Sequence, residues 1–148
     1  MKQIKAISKR IFDNNFSNKN LVHYDYACFI SILDVDNTEK KFDLSLDNVL
    51  QVHMWDIEKD ILTSDGKTYL KPSDEELQRI VDFVNKNKDK KSFVVHCSAG
   101  ISRSGAVVTY IREKFYNEVD HEWFKKENQL IQPNLYILNR LRELDGLK

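Results

Sequence analysis

The sequence predicts an α/β fold, a single domain with a central, mostly parallel sheet flanked by helices. Three observations lead there. Short apolar runs alternate with longer amphipathic stretches, as strands and helices do when they take turns along a chain. One of those runs, residues 26–33 (YACFISIL), is almost wholly apolar, as a strand covered on both faces must be. The length, 148 residues, suits one core and not two.

Each element has its own signal. Residues 3–7 form a short edge strand, and residues 8–16 a brief helix with Ser8 as its N-cap. The buried strand 26–33 stops at the polar cluster Asp34-Val35-Asp36-Asn37. Residues 50–54 make a further strand, and residues 63–72 a polar loop. Ser73 with Glu76 three places on is a capping-box pattern, after which Leu77, Ile80, Val81 and Val84 recur at helical spacing. That helix fades over residues 85–88, and residues 92–96 (SFVVH) supply another strand. Residues 104–116 read as a buried helix through Ala106, Val107, Val108, Tyr110, Ile111 and Phe115. Two more helices cover 121–131 and 134–145, with Pro133 between them and Gly146 just past the second.

Composition removes several function classes. Lys plus Arg and Asp plus Glu both total 23, so the net charge is zero, and no nucleic-acid partner is expected. With 4 Gly and 2 Pro the chain is neither collagen-like nor a linker. Two cysteines are too few for a disulfide scaffold and read as reduced thiols of a cytoplasmic protein. The first ten residues carry Lys and Arg throughout without an apolar stretch, so no secretory signal is expected. No apolar run is long enough to span a bilayer, so no membrane partner is expected either. His23, His53 and His121 lack metal-ligand spacing, and no Gly-x4-Gly-Lys-Ser/Thr run exists; neither a metal nor another cofactor is expected.

The chemistry is concentrated in residues 94–105 (VVHCSAGISRSG), which run from the end of a buried strand directly into a helix. A loop so placed aims several N–H groups at one point on the positive end of a helix dipole, which makes an anion site before any side chain acts. The backbone amides of Ser98, Ala99, Gly100, Ile101, Ser102 and Arg103 form that cradle, and Gly100 permits its curvature. Arg103 adds a planar fork matched to two phosphate oxygens. Cys97 lies at the floor, where such surroundings favour thiolate, the nucleophilic form. Ser104 is within reach of the sulfur as it leaves in a second step, and His96 orients the loop backbone.

A bare Cys-x5-Arg pairing is common by chance. The run His96-Cys97-x-x-Gly100-x-x-Arg103-Ser104 is far more specific, and it resembles the signature of the cysteine-dependent protein tyrosine phosphatase superfamily. The resemblance extends from about residue 26 onward to the compact dual-specificity branch. It includes the continuation Ser102-Arg103-Ser104-Gly105-Ala106-Val107-Val108 and the pair Pro133-Asn134. It implies a tyrosine-phosphatase-like domain over residues 1–148 with its signature loop at 96–104. It also implies an Asp on a separate loop that protonates the leaving oxygen. Asp56, directly after the strand 50–54, is that candidate, with Trp55 as hinge or packing anchor. Many relatives carry Pro where this chain has Trp55, and the interval to Cys97 is long, so Asp60 and Asp65 stay open as alternatives.

Asn134 either supports the signature loop or caps the last helix. Cys28, near the start of its strand, belongs to core packing and not to a disulfide with Cys97 at the end of a parallel one. Ser98, Ala99, Ile101 and Ser102 are small or apolar, whereas family members acting on inositol lipids or RNA 5′-phosphates often carry Lys there. The expected substrate is therefore a phosphorylated protein, phosphotyrosine first, with phosphoserine and phosphothreonine open. Phosphate or another oxyanion should inhibit at the loop. A phosphatase of non-protein phosphates and a non-catalytic phosphate-binding module are the alternatives. Residues 1–25 hold no obvious phosphotyrosine-gripping loop, though Tyr24 and Tyr26 are aromatic candidates.

Overall fold

The computed structural model describes residues 1–16 and 21–147. The elements run β1 (Gln3–Ser8), α1 (Lys9–Asn15), β2 (Ala27–Leu33), β3 (Val49–His53), β4 (Ile61–Leu62) and β5 (Thr68–Tyr69). They continue as α2 (Asp74–Lys86), β6 (Ser92–Cys97), α3 (Arg103–Lys114), α4 (His121–Glu127) and α5 (Leu135–Leu144). Single 3-10 turns lie at Leu21–His23 and Tyr116–Glu118.

Four strands form one sheet in the order β1-β6-β2-β3, and every neighbouring pair is parallel. The register sets Cys97 beside Ser8, His96 beside Ser31, and Leu33 beside His53. All the strand C-termini thus open at one edge of the sheet, where α/β proteins place their ligands. β1 is an edge strand, and all seven residues of β2 are buried. Cys28, Ile30 and Ile32 of β2 face a core built with Leu77 and Ile80 of α2, Val107 and Ile111 of α3, and Leu138 and Leu141 of α5. The opposite face packs Phe29 against Phe12 of α1, with Leu21 and Phe42. Each such side chain contributes about 1.5–3 kcal/mol by leaving water, so helix coverage of both faces holds the sheet.

Local signals set most boundaries. Ser8 accepts from the Ile11 N–H at 3.2 Å and starts α1, and Ser73 accepts from the Glu76 N–H at 3.2 Å and starts α2. The reciprocal half of the capping box does not form. Glu76 instead accepts from the His53 N–H at 2.8 Å and from Arg79 at 2.9 Å, which ties α2 to the end of β3.

Two expectations are corrected. The helix predicted over 121–131 ends at Glu127 because Asn128 turns its amide to the open edge of β1. It accepts from the Ala6 N–H at 2.8 Å and donates to the Ile4 carbonyl at 2.9 Å, partners a continued helix would not supply. The stretch 63–72, predicted as a loop, lies in and around the antiparallel hairpin β4–β5, whose turn carries Gly66 at φ 86°. Strands of two residues leave no alternation to read, and the turn is organised by Asp65 accepting from the Thr63 hydroxyl. Tyr69 of the hairpin meets Trp55 edge-on, ring centroids 5.1 Å apart. Among the described residues no helix is long and apolar enough to cross a membrane.

Candidate active site

The loop between β6 and α3 folds as it does because its neighbours take its carbonyls. The Ser98 carbonyl accepts from the Lys9 N–H at 3.1 Å, the Ile101 carbonyl from Gln132 N–H at 3.0 Å, and the Ser102 carbonyl from Asn134 N–H at 3.1 Å. A trans peptide directs its C=O and N–H oppositely, so the N–H groups of Ala99, Ser102 and Arg103 point back into the loop's hollow. Gly100 makes this curvature at φ 75°, with its Cα pressed against β1. A Cβ there would lie 2.5 Å from the Ile7 carbonyl carbon, so both conformation and space demand glycine.

Cys97 sits on the floor of the loop, with its sulfur 3.1 Å from the Ser104 hydroxyl. Burial works against ionisation. Hydrogen bonds from the hydroxyl and N–H of Ser104 and from the Gly100 N–H, with the Arg103 charge, outweigh it and hold the thiol below its ordinary pKa. The positive end of α3 acts in the same direction. Cys28, by contrast, is pushed up by burial and pairs with Phe93, four residues before Cys97 along β6. At roughly 3.3 Å per residue that is about 13 Å, well beyond disulfide reach, and both cysteines are free.

Arg103 is 5% exposed, and its donors are divided. Nη1 donates to the Asp34 carboxylate at 2.7 Å and to the Met54 carbonyl at 2.8 Å, while Nη2 donates to the Ser98 hydroxyl at 3.0 Å. Nε is buried with no hydrogen-bond partner among the described residues. Of the five guanidinium hydrogens, Nε–H and one on Nη2 are left without a partner among the described residues. The guanidinium is clamped by Asp34 and Met54 at Nη1 and by Ser98 at Nη2. Asp34 and the Met54 carbonyl escaped sequence reasoning. The available signal was a carboxylate closing a fully apolar strand, which has no local partner to satisfy it.

Asp56 follows β3 and lies over the loop. Its Oδ1 accepts from the Ser102 hydroxyl at 2.7 Å and from the Asn134 side-chain amide at 3.0 Å. The Asn134 side chain caps the last helix and reaches the Asp56 segment; only its backbone N–H meets the signature loop, at the Ser102 carbonyl. Its Oδ1 accepts from the Ile137 N–H at 3.0 Å, which caps α5, while its amide also donates to the Ile57 carbonyl at 3.2 Å. Asp60 accepts from the Lys71 N–H at 2.8 Å, and Asp65 serves the hairpin turn, so both are engaged away from the signature loop.

His96 accepts from the Ser31 hydroxyl through Nε2 at 2.6 Å and donates through Nδ1 to the Cys97 carbonyl at 3.2 Å. Burial pushes its pKa from the usual 6.5 down to about 4, so the ring is neutral and orients the strand end. Tyr24 and Tyr26 precede β2, at the opposite end of the sheet from the loop, and therefore cannot grip a substrate there. Residues 17–20, also within the first 25, lie outside the described residues.

Comparison with known proteins agrees with this geometry. The family model described as a DSP-PTPase phosphatase fused to NAD+ kinase matches residues 36–137, which include Asp56, Cys97, Arg103, Ser104 and Asn134. The chain is 26% identical over 133 residues to AMV078 of Amsacta moorei entomopoxvirus, which is named as a tyrosine-protein phosphatase; the match covers 86% of this chain and 73% of the viral one. Its fold is similar to that of human DUSP28, with TM-score 0.58 and 13% identity over 97% of this chain and 91% of the other. It is likewise similar to that of Cydia pomonella PTP-2 phosphatase, with TM-score 0.56 and 18% identity over 97% and 86%. A parallel sheet presenting a Cys-x5-Arg loop, matched by this family over most of its length, places the chain among the DSP-PTPases, the compact dual-specificity-like branch of the cysteine-dependent phosphatases.

Proposed function

We propose that the protein is a phosphoprotein phosphatase that acts first on phosphotyrosine, through a phosphocysteine intermediate, in a reducing cytoplasmic setting. The observation that carries this reading is the state of Arg103. A buried guanidinium keeps its Nε–H unspent and its charge helps lower the pKa of the thiol, which fits an oxyanion presented to a nucleophile. The small side chains of Ser98, Ala99, Ile101 and Ser102 suit a singly phosphorylated residue, and the name of the viral relative points the same way.

The Cys97 thiolate attacks phosphorus in line as the bond to the substrate oxygen breaks. Asp56, in its acid form, gives that oxygen its proton. Arg103 and the N–H groups of residues 98–103 hold the three equatorial oxygens as charge moves across them. Asp56, now a carboxylate, takes a proton from water as that water attacks phosphorus. The sulfur–phosphorus bond breaks, phosphate leaves, and Ser104 donates to the returning thiolate. The roles of Asp60 and Asp65 are confined to the hairpin in this scheme. Residues 1–148 act as one phosphatase domain, without metal or other cofactor, and phosphate or vanadate competes at the loop.

The test is hydrolysis of a phosphotyrosine peptide without added metal. Cys97→Ser should abolish turnover yet still bind the peptide. Arg103→Lys should lose affinity and rate together, because an ammonium cannot present two parallel donors. Asp56→Ala should slow turnover by roughly 10²–10⁴-fold, most with the poorest leaving groups. Unchanged rates in Asp56→Ala would move the acid elsewhere, and tight binding without any wild-type turnover would make the protein a phosphate-binding module.

A further inference from the structure

Beside the signature loop runs a groove of about 470 Å³. Ala99 and Ile101 of the loop line it, with Ile7 and Ile11 from β1 and α1 on one side and Leu130 and Ile131 from the segment after α4 on the other. Ile11 is 42% exposed and Leu130 77%, so the two offer apolar surface to water where the walls meet the same loop.

Both walls are fixed. The α1 side is tied to the loop by the Lys9 N–H on the Ser98 carbonyl, and the far side by the Gln132 N–H on the Ile101 carbonyl. Asn128, 6% exposed, joins the far wall to β1 through its bonds with Ala6 and Ile4. The groove is therefore preformed, and a partner need not spend ordering entropy to open it. It is continuous with Ala99 and Ile101, two of the residues that ring the phosphate cradle. The groove and the loop share Ala99, Gly100 and Ile101, so the groove lies next to the cradle. Two lysines, Lys5 and Lys126, and one carboxylate, Glu127, also border it, so an acidic backbone neighbour is tolerated and a cationic one is not favoured.

The geometry points to this groove as a specificity site of the phosphatase: it takes a large aliphatic side chain of the substrate peptide, close in sequence to the phosphoresidue. The assignment rests on the phosphoprotein reading above and adds what that substrate must carry. Neither Ile11 nor Leu130 touches the reacting atoms in this scheme; they select the substrate by burying its neighbour.

The experiment compares p-nitrophenyl phosphate, which is too small to reach the groove, with phosphotyrosine peptides carrying Leu, Ala or Lys at each of the three positions on either side. At one position the wild type should favour Leu over Ala by about tenfold in kcat/KM. In the double variant Ile11→Ala, Leu130→Ala that preference should vanish, and the ratio of Leu-peptide to p-nitrophenyl phosphate kcat/KM should fall by the same factor. Both residues are exposed, so the fold is expected to tolerate the change. Equal wild-type rates for Leu and Ala peptides at every position, with p-nitrophenyl phosphate hydrolysed, would overturn the groove assignment alone. Hydrolysis of p-nitrophenyl phosphate but of no phosphopeptide would overturn both readings of the substrate, and no hydrolysis of either would overturn the enzyme reading on which the groove depends. A changed oligomeric state in the double variant, with peptide preference intact, would assign the groove to a second copy of the chain and overturn it.

Discussion

At the scale of single residues, the site depends on how a few polar groups are kept from satisfying one another. Ser104 illustrates the balance. Burial alone would raise the Cys97 pKa, and the Ser104 hydroxyl is the largest of the contacts that reverse it. Ser104→Ala should therefore shift the thiolate transition to higher pH, read by absorbance of the thiolate or by the pH dependence of alkylation. It should also slow breakdown of the phosphocysteine, since a more basic sulfur leaves less readily. A transition that stays where it was would remove Ser104 from the electrostatics of the nucleophile. Asp34 acts on Arg103. With the 2.7 Å bond to Nη1 gone, as in Asp34→Ala, the guanidinium loses its one charged partner among the described residues and is held only by the Met54 carbonyl and the Ser98 hydroxyl. Inhibition by phosphate should weaken by about tenfold, the effect expected for one charge-assisted hydrogen bond, with Asp34→Glu recovering part of it. Cys97, Arg103 and Ser104 were legible because they lie within eight consecutive residues. Asp34 was not, because its partner is 69 residues away and no local rule connects them.

At the scale of elements, caps and turns hold the reacting groups in register. Gly100→Ala should cost roughly 1–3 kcal/mol and most of the turnover, since it adds a Cβ against the Ile7 backbone at a positive φ. Gly66→Ala is the control: its φ is 86°, but nothing lies within 4 Å, so the melting temperature should fall less and activity should hold. Asn134 allows a cleaner separation. Asn134→Ala loses both the α5 cap and the grip on Asp56, whereas Asn134→Ser keeps a cap but cannot reach Asp56 and Ile57. The serine variant should regain about 1 kcal/mol of stability over alanine without regaining rate. If rate returns with stability, Asn134 is only a cap. Ser8, Ser73 and Asn134 could be read as caps because capping is a contact within three residues. The hairpin β4–β5 and the end of α4 could not: strands of two residues leave no alternation to read, and Asn128 is decided by a partner outside its own segment, the β1 edge.

At the scale of the whole molecule, the site lies where two faces of one sheet meet the same loop. His96 is on the α1 face, against Phe12 at 4.2 Å, while Cys97 one residue later is in the core of the other face. Keeping His96 neutral ties stability to pH. Its pKa is about 4 folded against 6.5 for a free histidine, so the folded state binds fewer protons between those values. The contribution is complete above pH 6.5 and lost progressively as pH falls toward 4, about 3 kcal/mol in all. Urea midpoints at pH 7.5, 5 and 4 should fall more steeply for the wild type than for His96→Gln. Parallel slopes would mean that protonation of His96 is accommodated in the fold.

The sequence by itself determined the fold class, the strand–loop–helix carrying Cys97 and Arg103, the N-caps, and the separation of Cys28 from the nucleophile. All of these follow from periodicity or from residues a few positions apart, where chain geometry leaves little choice. Tertiary structure alone decided that Asp34 and Met54 hold Arg103 and that Asp56 lies over the signature loop while Asp60 and Asp65 serve the hairpin. It also decided that Asn134 serves two masters at once, and that a groove opens beside Ala99. Those outcomes depend on which strands become neighbours and in what register, and a hydrogen bond across 46 or 69 residues is settled only when the sheet closes.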